Sequence, residues 1–154
     1  MARLAAERHT QEDLREIGRA LADTASAETV EAWAEADVAF HGALARATGN
    51  PLFALIYDAL RRVLFEQRLK TGTAVPATRA QSFRYHQRIY DRVFAGDGPG
   101  ARRAMLDHLR EAQETMVRYA VERKAALGSA AVPTDGTPDV SSSPETPTTP
   151  SSQK

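Results

Sequence analysis

Along residues 2–127, apolar positions recur at intervals of three and four, the period of an α-helix with one buried face, and strand-like alternation is nowhere sustained. Proline, glycine and small polar residues punctuate this pattern. In "TGNP" (48–51), Gly49 suits the left-handed position after a helix, Asn50 can cap the next one, and Pro51 can open it. "AGDGPG" (95–100) repeats the arrangement with Asp97 as the cap, and Pro76 stands at another start. Thr10 with Asp13, and Ser26 with Glu28, mark two earlier N-termini. These signals predict helices over roughly 10–24, 27–48, 51–70, 77–95 and 99–126, with residues 2–8 as the end of a further helix whose beginning is missing. The expected fold class is all-α: an antiparallel bundle of about six helices joined by short loops, the first of them truncated.

From Gly128 the pattern stops. The last 27 residues hold five of the eight prolines and eleven Ser or Thr, with no aromatic. Such a segment cannot bury enough apolar surface to offset its ordering entropy. The chain therefore divides into one helical domain, 1–127, and a disordered Pro/Ser/Thr-rich tail, 128–154.

Composition narrows the functional classes. No apolar run approaches the ~18 residues of a membrane span, and the N-terminus has no basic patch followed by an apolar core, so a cytoplasmic location is expected, with no membrane partner. The 154 residues include no cysteine, which removes disulfides, thiolate ligands and a thiol nucleophile together. Lys and Arg total 20 and Asp and Glu total 20, so no net field draws this chain to nucleic acid.

The chemistry sits inside the apolar stripes. At ~100° per residue, Val30, Trp33, Asp37, His41, Leu44 and Thr48 share one helix face. His86 falls in the stripe of Phe83, Tyr90, Val93 and Phe94, and His108 in that of Ala101, Met105, Ala112, Met116 and Tyr119. Only His9 stands apart, at a helix boundary. One inward histidine is ordinarily neutral and hydrogen-bonded, and Asp37 with His41 can be read as a buried ion pair. Three imidazoles and a carboxylate in one small core need many partners, because each unsatisfied polar group costs ~1–3 kcal/mol. A divalent cation would satisfy all four, and Asp and His at i and i+4 project from successive turns as adjacent ligands. The donor set suits zinc first, with nickel, manganese or iron as alternatives.

"DVAFHGALARATGNPLFALIYDAL" and "YHQRIYDRVFAGDGPGARRAMLDHL" resemble the C-terminal effector domain of the GntR superfamily of bacterial transcription regulators, the FCD (FadR C-terminal) class. The shared pattern is D-x3-H, a GN helix boundary, H-x2-I, a GD helix start and M-x2-H-L, over roughly residues 4–126. The resemblance implies an all-α bundle holding a divalent metal through Asp37, His41, His86 and His108, a homodimer, and an effector that is a small organic acid or sugar acid. It also implies DNA binding only through an N-terminal winged helix-turn-helix, for which this chain begins too late. The position before the second of the family's histidines is often acidic, whereas here it is Tyr85.

A population shift on effector binding, rather than a reaction, is the expected output. Arg62 and Arg84 flank their helices where they can be asked to hold an anionic effector beside Tyr85, although each also reads as a solvated arginine. Tyr57, Tyr119 and the last helix are candidates for either a dimer interface or the core. Two rivals remain. A metal-dependent hydrolase would need a second inward carboxylate, but Asp58, Glu66, Asp91, Glu111 and Glu114 read more naturally as solvated faces, with Glu66 alone near enough to a stripe to stay open. A purely structural bundle would need only an ion-pair core.

Overall fold

Six helices make up residues 1–129, the part of the chain that the computed structural model describes. They are α1 (Ala2–Arg8), α2 (Gln11–Ser26), α3 (Val30–Arg46), α4 (Pro51–Ala74), α5 (Ala77–Phe94) and α6 (Gly98–Ser129), with no strand among the described residues. None of these helices is long and apolar enough to cross a membrane. The expected tail falls almost wholly outside the described residues, and α6 runs two residues past the expected boundary at 127.

Local chemistry explains the helix ends. Thr10 and Asp13 form a reciprocal capping box at the start of α2. Asn50 caps α4 through Oδ1, which accepts from the Leu52 amide at 3.0 Å, with Pro51 in the first turn. Gly49 and Gly96 take φ of 66°, the left-handed conformation that ends α3 and α5 without a Cβ penalty. Asp97 caps α6 by accepting from the Gly100 amide at 2.9 Å. Ser26 is a correction: it closes α2, its hydroxyl donating back to the Ala22 carbonyl, and Thr29 caps α3 by accepting from the Ala32 amide. Either residue is a good cap by type, and Thr29 is the one that leaves Val30 and Trp33 to begin the inward stripe.

Consecutive helices pack as antiparallel neighbours in α2–α3, α3–α4 and α5–α6, while α1 lies across α6, α5 and α3. The core contains Ile17, Phe40, Leu44, Ile89, Val93 and Ala101. Each large side chain fully buried there contributes ~1.5–3 kcal/mol by leaving water. Trp33 is fully buried against Gly72, whose missing side chain lets α3 and α4 approach.

Two assignments of inward side chains are overturned. Phe94 is 64% exposed and Met116 41%, because each lies on the shoulder of its stripe where no neighbouring helix covers it. On α4 only Thr71 and Gly72 are buried, and Leu52, Leu55, Ile56, Leu60 and Val63 form an exposed apolar stripe.

Candidate metal centre

Three helices converge on one buried polar cluster. On α3, Asp37 and His41 project from successive turns of the inward face, while α5 brings in His86 and α6 brings in His108. The Nε2 atoms of His86 and His108 are 3.3 Å apart, and those of His108 and His41 are also 3.3 Å apart. Asp37 Oδ1 lies 3.6 Å from His86 Nε2. All four side chains the stripes predicted are therefore together in space.

Packing fixes the rings. His86 stacks on Phe40 with centroids 4.3 Å apart, and His41 stacks on His108 at 5.3 Å. Burial removes the water a charged imidazole needs, so His41 and His86 are held neutral, their pKa values well below the ordinary value. The neighbouring imidazoles and Arg68 push in the same direction. His108 is lowered to about 4, first by burial and then by the Arg68 guanidinium, with Asp37 opposing. Since His86 is neutral, its approach to Asp37 is not an ion pair. Among the described residues, Asp37 Oδ1, His86 Nδ1 and His108 Nδ1 are buried without a hydrogen-bond partner. Three neutral imidazoles whose Nε2 atoms meet at one point form a group that can hold a metal ion.

Asp37 does have an ion pair, with Arg68 rather than His41: Arg68 Nε donates to Asp37 Oδ2 at 2.9 Å, with Arg68 largely buried. Arg68 was not among the sequence candidates. Its signal was present in the helical spacing of Tyr57, Leu64, Arg68 and Thr71, the face of α4 that turns inward. Beside the cluster opens a cavity of about 710 Å³, lined in part by Asp37, Val38, His41, Tyr57, Leu64 and Arg68. The Tyr57 hydroxyl donates to the Val38 carbonyl at 2.8 Å, tying α4 to the turn of α3 that carries Asp37 and His41. Burial first, and then Asp37, raise the Tyr57 pKa and keep the phenol protonated.

The three other sequence candidates lie elsewhere. Arg62 is 90% exposed and paired with Glu66, beside a separate surface hollow that it shares with Arg61. Arg84 is exposed on α5. Tyr85 is half-buried behind the cluster, its ring centroid 5.7 Å from that of His108 and covered by Arg88. Tyr119 is half-buried near the far end of α6. Glu111 is a further correction, being buried one turn beyond His108, where its Oε1 accepts from the Thr115 hydroxyl at 2.8 Å. It continues the spacing of Ala101, Ala104, Met105 and His108, which assignment of acidic residues to solvent overlooked.

Residues 1–111 match the FCD domain, and the chain belongs to that family. It is 36% identical over 124 residues to the HTH-type transcriptional regulator LutR of Bacillus subtilis, covering 77% of this chain and 57% of LutR. The putative L-lactate dehydrogenase operon regulatory protein of Escherichia coli is 36% identical over 55% of this chain and 34% of its own length. The galactonate operon transcriptional repressor of E. coli is 33% identical over 69% and 47%. The chain thus spans roughly a third to somewhat over half the length of these curated relatives. They are transcription regulators, and the family is a regulatory domain rather than a family of enzymes.

Proposed function

We propose that this domain senses a small carboxylate metabolite through a divalent cation held by Asp37, His41, His86 and His108. The observation that carries this reading is the convergence of three buried imidazoles, with His108 Nε2 3.3 Å from the Nε2 atoms of both His86 and His41 and ligand atoms of all three within 4.8 Å of one another. Two nitrogens ~2.1 Å from a shared ion at a tetrahedral angle stand about 3.4 Å apart, the spacing that His108 already has to each of the other two histidines. Asp37 supports the fit, since Oδ2 is committed to Arg68 while the orphaned Oδ1 faces the histidines. An arginine that orients a ligating carboxylate from outside is a recurrent feature of such sites. Three imidazoles and one carboxylate suit zinc first, with nickel, manganese and iron as alternatives.

When bound, the ion supplies a positive charge and open positions for oxygen ligands. The chain's own residues do the rest. Tyr57 and Val38 lock α4 to α3, and Arg68 presents a cation at the cavity floor, the role the sequence had offered to Arg62 and Arg84. An anionic effector seated there touches α3, α4 and α6 at once, so its binding biases how those helices pack. Two relatives carry lactate and galactonate in their names, which supports an organic or sugar acid. In the whole cytoplasmic regulator the output would be DNA binding by a winged helix-turn-helix across a homodimer, with the exposed α4 stripe as the dimer face.

One observation favours a purely structural bundle, namely that Arg68 already neutralises Asp37. A thermal melt separates the two readings. Metal-free protein titrated with zinc should gain about 2.7 kcal/mol of stability at a hundred-fold excess over Kd, and gain again when a bound carboxylate is added. A melting temperature unmoved by zinc, nickel, manganese and iron would leave the structural bundle.

A further inference from the structure

Beyond its charged groups, the cavity is lined by apolar side chains: Val38 from α3, Leu64 from α4, and Met105, Leu106 and Leu109 from successive turns of α6. The Met1 amine, Arg3 and Arg102 also line the cavity, beside these apolar side chains. Arg3 is bound to Glu7 at 2.8 Å, and the Tyr57 proton goes to the Val38 carbonyl. Arg102 lies exposed at the rim. A sugar acid with its carboxylate at Arg68 would turn those of its hydroxyls that face this wall toward leucine and methionine, and each buried hydroxyl left unpaired loses roughly ten- to a hundred-fold in affinity. A three-carbon acid satisfies the floor but leaves most of the cavity of about 710 Å³ unfilled, a size that otherwise encloses a drug-sized ligand.

We infer that the effector is a carboxylate with an apolar body, a medium-chain or aryl-substituted monocarboxylate, its head at Arg68 and the histidine cluster and its tail against Leu64, Leu106 and Leu109. This rests on the carboxylate-sensing reading above and departs from the polyhydroxy and short hydroxy acids that the relatives' names suggest. Each methylene buried on that wall tightens binding about three- to four-fold.

The test is calorimetric titration of the full chain, loaded with zinc and its metal content measured, with butanoate, hexanoate, octanoate, 3-phenylpropanoate, lactate and gluconate. Octanoate should bind on the order of a hundred-fold more tightly than butanoate, and both lactate and gluconate more weakly than octanoate. Leu106→Asn and Leu64→Asn, checked for folding by circular dichroism, should flatten the chain-length series below about ten-fold without changing metal content. Lactate or gluconate matching octanoate would overturn this inference and leave carboxylate sensing standing, whereas no binding by any of the six acids would sink both. A chain-length series unchanged in both leucine variants would also overturn it, since the tail would then lie elsewhere.

Discussion

Asp37 is the residue on which the competing electrostatic demands meet, with Arg68 holding one oxygen and the other facing three neutral imidazoles. Replacing Arg68 by methionine leaves a buried carboxylate unpaired, so Arg68→Met should cost metal-free protein ~3–5 kcal/mol in urea unfolding. Saturating zinc should recover a large part of that loss, because the cation takes over neutralising Asp37; a loss the same with and without zinc would mark the pair as structural. The histidines set a pH dependence. His108 falls from an ordinary value of 6.5 when unfolded to about 4 when folded, so between those limits the unfolded chain binds the extra proton. Metal-free protein should be fully stable above pH 6.5 and lose ~3 kcal/mol through His108 alone as pH falls toward 4, with His41 and His86 adding in the same direction. Chemical denaturation across that range checks the sign. Asp37, His41, His86 and His108 were legible in the sequence because each interrupts an apolar stripe. Arg68 and Glu111 were not, because a charged residue among other charged residues reads as solvated unless the whole face is followed.

At the scale of elements, short-range chemistry decides the ends and long-range packing decides the faces. Removing the reciprocal Thr10 and Asp13 cap with Thr10→Ala should cost ~1 kcal/mol in unfolding free energy. Gly72 is a sharper case, since a Cβ there would stand 2.6 Å from the Trp33 ring and 3.0 Å from Val30 Cγ1. Gly72→Ala should destabilise by ~1–3 kcal/mol as α3 and α4 are forced apart, and because Arg68 is one turn away on α4, it should weaken metal uptake as well. Equilibrium unfolding and a zinc titration report the two effects separately. The boundaries at Asn50 and Asp97 were readable because capping is local. The outward turn of Phe94 and Met116 was not, since either flank of a stripe is equally apolar and only the placement of adjacent helices selects one. Ser26 and Thr29 show the same limit within a single loop.

For the molecule as a whole, the feature that links site and surface is α4. Leu52, Leu55, Ile56, Leu60 and Val63 present a five-residue apolar stripe, each 48–65% exposed, on the helix that also carries Arg68. If α4 is the dimer face, Ile56→Glu should yield a monomer by light scattering while circular dichroism and metal content stay unchanged. A dimer that survives the change would place the interface on another helix. Effector binding at one face of α4 and pairing at the other would couple the cavity to the partner subunit through a single rigid element. All of this depends on whether an ion occupies the convergence of Asp37, His41, His86 and His108. The most direct measurement is elemental mass spectrometry of the purified protein beside His108→Ala. About one divalent ion per chain, absent from the variant, is the expected result. Protein that is folded, metal-free and unable to take up added zinc or nickel would contradict it.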